Sequence, residues 1–257
     1  MSDKSPKNTT PPFLYHTTLS IADQHRNPSN STRKSSILGT HVDLPSARSF
    51  ALSALESCLN YRPSDFEKFV TRLSWKPAED DEWPYGDSTL VYALTKSGQE
   101  ILVGLETTPN LGSLDAGGGS DGTPLIPEDS GCDHLHYVLQ TTTRYDQSQN
   151  YSTGIAGRRG SLSNDAFRTT KIEGCYVPKT DALMAAREAL RAEKEKGMFV
   201  QYDEREVDED IEVQRDDDIE YGWPFGDDVV VHAVGQMGEN YEVAVTTLPA
   251  AKRRGED

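Results

Sequence analysis

The chain has 257 residues, and its 42 acidic side chains outnumber the 26 basic ones, which gives a formal net charge of −16. No run of about 20 apolar residues occurs, so no transmembrane helix is expected, and the polar start of the sequence does not resemble a secretory signal. The three cysteines are too few for a disulfide framework and favour a cytoplasmic location, while the acidity disfavours nucleic-acid binding.

In chain order, residues 1–12 are expected to form a disordered tail and residues 13–109 a first module. This module opens with a strand at 13–21, which is rich in Thr and apolar residues, and a short strand follows around Gly39–Val42. A helix comes next, for which Asp43 is the expected N-cap. Apolar residues at a spacing of three to four predict one helix face that lies close to a sheet: Ala47, Phe50, Ala51, Ala54, Leu55 and Cys58.

The first module ends with a turn and a hairpin. Residues 83–87 read Trp-Pro-Tyr-Gly-Asp and suit a β-turn, because proline presets φ at the second position and glycine is common at the fourth. Trp83 is expected to anchor this turn to the core, and Asp87 to accept backbone N–H groups. The apolar run at 90–94, followed by a Ser-Gly turn and a return strand, predicts a hairpin whose first strand is buried on both faces.

Residues 110–131 contain the run Gly-Gly-Gly-Ser-Asp-Gly and are expected to form a flexible linker that buries nothing. Just after it, Cys132, His134 and His136 would share one face of an extended segment, and these side chains are zinc ligands. Three ligands so close in sequence do not easily complete a tetrahedron, and no fourth is suggested. We therefore expect no metal or other cofactor, and these residues are the candidates if one exists.

The second module, residues 132–249, repeats the first. Residues 223–249 align with residues 83–109 without a gap, and ten of the 27 positions are identical. A looser match aligns residues 13–21 with residues 135–143. Two copies are too few for a solenoid, so we expect a duplicated module whose copies pair as an intramolecular pseudo-dimer. One sheet continued across both modules and two sheets facing each other remain equally open.

The second module should contain the same elements. A strand is expected at 135–145, then a helix with Thr180 as its N-cap and Gly197 as its left-handed C-terminal residue. A hairpin turning at Met237-Gly238 should follow. The inward face of the helix is expected to carry Leu183, Ala186, Ala189 and Leu190.

Three polar segments of the second module have candidate roles. Residues 154–170 are an insertion without a counterpart in the first module, and Arg-Arg-Gly-Ser makes Ser161 a phosphorylation candidate. Asp203–Glu220 is expected to be a solvated acidic loop, since it lacks the register of a calcium loop. Residues 250–257 are expected to be a tail, whose Lys-Arg-Arg leaves a nuclear location open.

The predicted fold class is α+β, with two tandem homologous modules, each an antiparallel sheet with one main helix. No nucleophile elbow, Walker loop or dinucleotide fingerprint is present. We expect a non-catalytic binding protein with a basic protein partner and no nucleic-acid or membrane partner. The candidate binding residues belong to the two turns and hairpins: Trp83, Tyr85, Asp87, Tyr92, Trp223, Phe225, Asp227 and His232.

The alternative is a small-molecule-binding protein or an enzyme with a pocket between the two repeats. In that case, the expected lining residues are Tyr85, Phe225, His41, Tyr92 and His232.

Overall fold

The computed structural model describes residues 10–23, 33–75, 82–116, 122–125, 134–145, 166–206 and 223–249. The first five strands are β1 (Phe13–Asp23), β2 (Lys34–His41), β3 (Phe66–Thr71), β4 (Thr89–Thr95) and β5 (Gln99–Pro109). A short pair follows, β6 (Asp115–Ala116) and β7 (Pro124–Leu125). The last five are β8 (His134–Tyr145), β9 (Ala166–Tyr176), β10 (Phe199–Glu204), β11 (Val229–Gly235) and β12 (Asn240–Pro249). The helices are α1 (Leu44–Ser57), α2 (Lys179–Glu188) and α3 (Arg191–Glu195).

Two antiparallel five-stranded sheets with matching topology make up the fold. The strand order is β2-β1-β5-β4-β3 in the first unit and β9-β8-β12-β11-β10 in the second, and each unit carries its helices after its second strand. The predicted α+β class with two similar sheet units is confirmed. No helix within the described ranges is long and apolar enough to cross a membrane.

The helix of the first unit begins as its sequence predicts. The Asp43 carboxylate accepts a hydrogen bond from the Ser46 N–H at 2.8 Å, which satisfies one of the free donors at the helix start. Its buried face consists of Ala47, Ala51 and Ala54 together with Leu55. These alanines let α1 approach the sheet closely, and Ala51, Ala54 and Leu55 pack against apolar residues of β1, β4 and β5.

The single helix predicted for the second unit is divided into α2 and the short α3, and of its two predicted ends only the last residue, Gly197 after α3, is as predicted. Pro178 occupies the N-cap position and makes no side-chain cap bond, so the prediction of Thr180 as N-cap is wrong. Proline at this point keeps the chain extended, and the helix begins one residue before Thr180. Gly197 has φ of 70°, the left-handed conformation predicted for it.

One edge strand of each sheet, β3 and β10, was not predicted; these two are called the outer strands below. Each follows the helix or helices of its unit and pairs with the first strand of the hairpin. Two boundaries also change: part of the predicted insertion, residues 166–170, belongs to β9, and Asp203 and Glu204 of the predicted acidic loop belong to β10. All residues of β10 are exposed or half-buried, and three of its six side chains are apolar or aromatic, so its sequence shows no buried run.

Both predicted hairpins are confirmed. Gly98 and Gly238 close them with φ of 80° and 86°, and the first strands β4 and β11 are buried on both faces near their centres. The predicted match of residue 13 with residue 135 is one residue out of register. Phe13 pairs with Pro109, whereas Pro249 pairs with His134, so Phe13 corresponds to His134.

The two sheets face each other rather than forming one continuous sheet, which resolves the alternative that the sequence left open. A separate apolar cluster joins their helix-free faces, with Leu14 from β1 and Leu135 and Tyr137 from β8 at its centre. A polar bond crosses the same boundary, because the Glu106 carboxylate accepts the Ile172 N–H at 3.1 Å. The units are therefore joined by direct contacts between their sheets.

The described ends of the linker are packed, which corrects the expectation that residues 110–131 bury nothing. Leu114 is 3% exposed and belongs to the cluster between the sheets. Asn110 ties the linker to the N-terminal segment: its backbone N–H bonds the Pro12 carbonyl, and its side-chain amide bonds the Pro11 carbonyl. The described part of the predicted tail, residues 10–12, is thus held in place.

Candidate functional site

In the first unit, the predicted turn folds its aromatic residues onto the sheet. The Tyr85 ring stacks on Tyr92 of β4 with 3.9 Å between centroids, and Trp83 meets Tyr85 edge-on at 4.9 Å. The Lys68 ammonium, from β3, lies 5.5 Å and 5.4 Å from the centroids of the two tyrosines, within the range of cation–π attraction. Gly86 permits this turn with φ of 92°.

The second unit builds the same turn from different residues. Phe225 stacks on His232 of β11 at 3.7 Å with the rings 9° from parallel, and Trp223 meets Phe225 edge-on at 5.0 Å. Gly226 closes the turn with φ of 112°. Asp203, from β10, lies with a carboxylate oxygen 3.5 Å from His232 Nδ1. A histidine–carboxylate pair therefore replaces the contact between Tyr92 and Lys68. Asp203 lies opposite His232 in the register, where the first unit has Val70 opposite Tyr92.

An arginine at the end of the outer strand holds each turn in place. Arg72 donates to the Asp87 carbonyl, and Arg205 donates to the Asp227 carbonyl at 2.6 Å. The two aspartates therefore accept these hydrogen bonds with their backbone carbonyls. From the sequence, their carboxylates were expected to accept backbone N–H groups instead. The repeated arginine was not predicted, because the segments between the helices and the Trp-Pro turns of the two copies were not matched in sequence.

The turn residues lie on the sheet face opposite the helix. Val91 and Ala93 pack on the helix side, and alternation along the strand directs Tyr92 to the other face. The rings of each turn contact residues of their own unit. The structure thus brings the predicted binding residues together within each unit, and their binding role stays a prediction.

A chain of buried polar side chains connects the two units. His16 of β1 is 0% exposed, and its ring nitrogens lie 2.8 Å from the hydroxyls of Thr40 and Thr108. The Thr40 hydroxyl lies 2.8 Å from the Tyr137 hydroxyl of the second unit, and Cys175 is the strand partner of Tyr137 and packs in the same cluster. This chain was not predicted from the sequence, although the similar segments Gly-Thr-His-Val at 39–42 and Gly-Cys-Tyr-Val at 174–177 indicate matched positions.

The members of this chain occupy matched positions. The strand register places Tyr137 where the first unit has His16, and the repeat of the Gly-x-x-Val segment places Cys175 where it has Thr40. The His16 and Tyr137 rings meet edge-on at 5.8 Å. The boundary between the units thus brings together the same two positions of each unit, with different side chains.

Burial sets the protonation of the chain. It lowers the pKa of His16 to about 4, and the nearby His41 adds to this effect, because burial disfavours the charged imidazolium. Burial also raises the pKa of Tyr137 above its ordinary value and that of Cys175 to about 12. At neutral pH, all three groups are therefore uncharged, and Cys175 is an unreactive thiol.

A cavity of about 250 Å³ lies beside this chain, between the units. Residues from β2, β8 and the end of β12 line it, together with Cys58 and the segment that enters β7: Ile37, Leu38, Gly39, Thr40, Cys58, Thr123, Pro124, Leu135, Tyr137, Leu248 and Pro249. None of the aromatic and histidine residues that the sequence analysis proposed as lining residues is in this set. The inter-repeat pocket therefore has mainly aliphatic walls.

The predicted metal ligands are only partly described. His136 lies with Nδ1 2.8 Å from the Thr247 hydroxyl, a structural role, and Cys132 lies outside the described residues. Among the residues that the structure describes, no three His, Cys, Asp or Glu side chains are placed to hold a metal ion. The phosphorylation candidate Ser161 also lies outside the described ranges and stays a prediction.

Comparisons with known proteins identify no relative: no family model, no curated protein and no solved structure matches this chain.

Proposed function

We propose that this chain is a non-catalytic protein-interaction protein that binds a basic, extended segment of a partner at the outer edges of its sheets. The observation that carries this proposal is the repetition of one arrangement in both units: a half-exposed aromatic turn fixed by arginine beside an outer strand. An outer strand has backbone groups that a partner strand can pair with, and neighbouring side chains give such pairing its specificity.

The outer strand of the second unit has the apolar surface that this role requires. Val200 in β10 is 69% exposed, and Met198 just before it is also exposed. The hairpin turn with the exposed Met237 is tied to this end of the strand, since the Gln236 side chain donates to the Gly197 carbonyl at 2.9 Å. Flexible methionines suit a surface that adapts to different partners.

The charge of the same edge favours a basic partner. Asp203, Glu204 and Glu206 follow Val200 along the chain, and the whole chain carries a net charge of −16. Complementary charge speeds association and selects against acidic competitors. A segment with alternating apolar and Lys or Arg residues combines both requirements.

A peptide-display selection on the full-length protein tests this proposal. Enriched peptides should be basic, and Val200→Lys should weaken their binding by about tenfold or more, since lysine repels a basic strand at this edge. Met184→Lys is the matched control: Met184 is exposed on α2, and the charge change is the same. Enriched peptides that bind both variants equally, or no enrichment at all, would contradict the proposal.

A second candidate function, small-molecule binding, is supported by the cavity between the units. Ligand sites commonly lie between structural units, with apolar walls and a few polar groups. At about 250 Å³, this cavity is slightly below the usual range for drug-sized ligands, so it suits a smaller molecule.

A further inference from the structure

The lining of the inter-unit cavity restricts the chemistry of a ligand. Most of its walls are aliphatic, from residues such as Ile37, Leu135 and Leu248, and its lining set contains no charged side chain. A charged ligand in such surroundings would lose its hydration without a compensating partner. The walls therefore favour a neutral and mainly apolar molecule.

The hydroxyls in the lining indicate one polar group on that molecule. Thr40 and Tyr137 line the cavity, are both buried, and belong to the polar chain from His16 to Tyr137. A hydroxyl has one donor and two acceptor sites, and the Thr40 hydroxyl has two partners, His16 and Tyr137. When it donates to one of them and accepts from the other, Thr40 keeps one acceptor site, which a ligand O–H or N–H can fill.

The volume sets the size of the ligand. An apolar cavity of about 150 Å³ takes a benzene ring, so a cavity of about 250 Å³ corresponds to roughly ten to twelve non-hydrogen atoms by the same proportion. This is the size of a two-ring aromatic molecule or of a medium-chain alcohol. Contacts with both units would let such a ligand stabilise the arrangement of the two sheets.

We infer that the cavity between the units is a binding site for a small neutral molecule with an apolar body and one O–H or N–H donor, which donates to the Thr40 hydroxyl. This inference rests on the second candidate function and adds the chemical class of the ligand. It is independent of the first proposal, because no residue of β3, of β10 or of the two Trp-Pro turns lines the cavity.

Two probes of matched shape, 2-naphthol and naphthalene, test the inference on the full-length protein. Methyl NMR titration should show saturable shifts at Ile37, Leu135 and Leu248, with little change at Ile101, which packs on the helix side. 2-Naphthol should bind about tenfold more tightly than naphthalene, the factor expected for one good hydrogen bond. The absence of saturable shifts at the three lining residues would overturn both the inference and the second candidate function.

Variants separate the polar recognition from the cavity itself. Thr40→Val should reduce the preference for 2-naphthol to about twofold or less, while naphthalene binding stays unchanged. Thr141→Val is the matched control, because it removes a buried hydroxyl that bonds Thr170 outside the cavity. Ile37→Trp should fill the space and weaken both probes. Equal affinities of the two probes for the wild-type protein would overturn the assigned donor and leave the apolar cavity as a site.

Discussion

The two sheet units share their topology and their apolar framework, but they differ in the polar residues at matched positions. Ala51 and Ala186 are both fully buried under a helix, and Val91 and Val231 are both fully buried in the sheet. By contrast, His16 corresponds to Tyr137, Thr40 to Cys175 and Tyr92 to His232. The difference shows that small apolar residues define the unit, while polar positions inside it accept several chemistries.

The largest expected effect concerns the shared framework. Leu14 and Leu135 hold equivalent places in the cluster between the sheets, and both are nearly or fully buried. Leu14→Ala and Leu135→Ala should each lower the free energy of unfolding by about 2–5 kcal/mol, since each leaves a cavity. Urea denaturation measures this effect. A loss below about 1 kcal/mol at one position only would show that the two units do not contribute equally to the boundary.

The next effect separates His16 from its tyrosine counterpart by pH. The pKa of His16 is about 4 in the fold and 6.5 when unperturbed. Above pH 6.5 the ring is neutral in both states, and the free energy of unfolding has its full value. As the pH falls from 6.5 towards 4, the ring binds a proton in the unfolded chain but not in the fold, so the free energy of unfolding decreases. Between pH 7 and pH 4, the wild-type protein should lose about 3 kcal/mol more than His16→Gln, which carries no such proton site. Carboxylates and the other histidines are common to both proteins and serve as the internal control.

That experiment has a clear contrary result. If urea denaturation gives parallel pH profiles for the wild-type protein and His16→Gln, the imidazole is not buried in its neutral form at the boundary between the units.

A smaller effect distinguishes the two helix starts. Asp43→Ala should cost about 1 kcal/mol, because it removes the side-chain acceptor at the start of α1. Thr180→Ala should change stability by less than about 0.5 kcal/mol, since Thr180 is exposed and makes no cap bond. Thermal unfolding of the two variants provides the measurement. Equal losses would restore the original assignment of Thr180 as N-cap.

The smallest effect concerns the stacked rings of the turns. Each stacked strand residue can be replaced by its counterpart from the other unit, as Tyr92→His or His232→Tyr. Both variants retain an aromatic ring that can stack on Tyr85 or Phe225. Each exchange should cost about 1 kcal/mol or less, from the altered contact with Lys68 or Asp203. Chemical denaturation of the full-length variants measures it. Complete unfolding of either variant would show that the polar identity of this position, and not only its ring, is required.

The sequence predicted the parts of the fold that local chemistry determines. The hairpins followed from glycine turns between apolar runs, and the cap at Asp43 followed from its place before the α1 helix. Thr180 misled because it resembles a cap, whereas Pro178 determines where the helix starts. The outer strand β10 was not predicted, because an edge strand can contain exposed charged residues and shows little apolar pattern. Its position depends on pairing with β11, which comes later in the chain.

The candidate site was predicted within each unit but not between them. The repeat of Trp-Pro-aromatic-Gly-Asp located both turns correctly, and stacking of Tyr85 on Tyr92 follows from residues close in sequence. The contact from Thr40 to Tyr137 joins residues 97 positions apart. It depends on how two sheets pack and on a one-residue register, since a slip of one residue turns every side chain to the opposite face.

The central claim is that the two units form one cooperative body through the polar chain and apolar cluster between their sheets. Native-state hydrogen exchange of the full-length protein at increasing urea tests it most directly. Amides of Val91 in the first unit and Val231 in the second should converge on the same opening free energy and the same urea dependence. Two separate opening free energies, each with a smaller urea dependence, would contradict the claim and show that the units unfold independently.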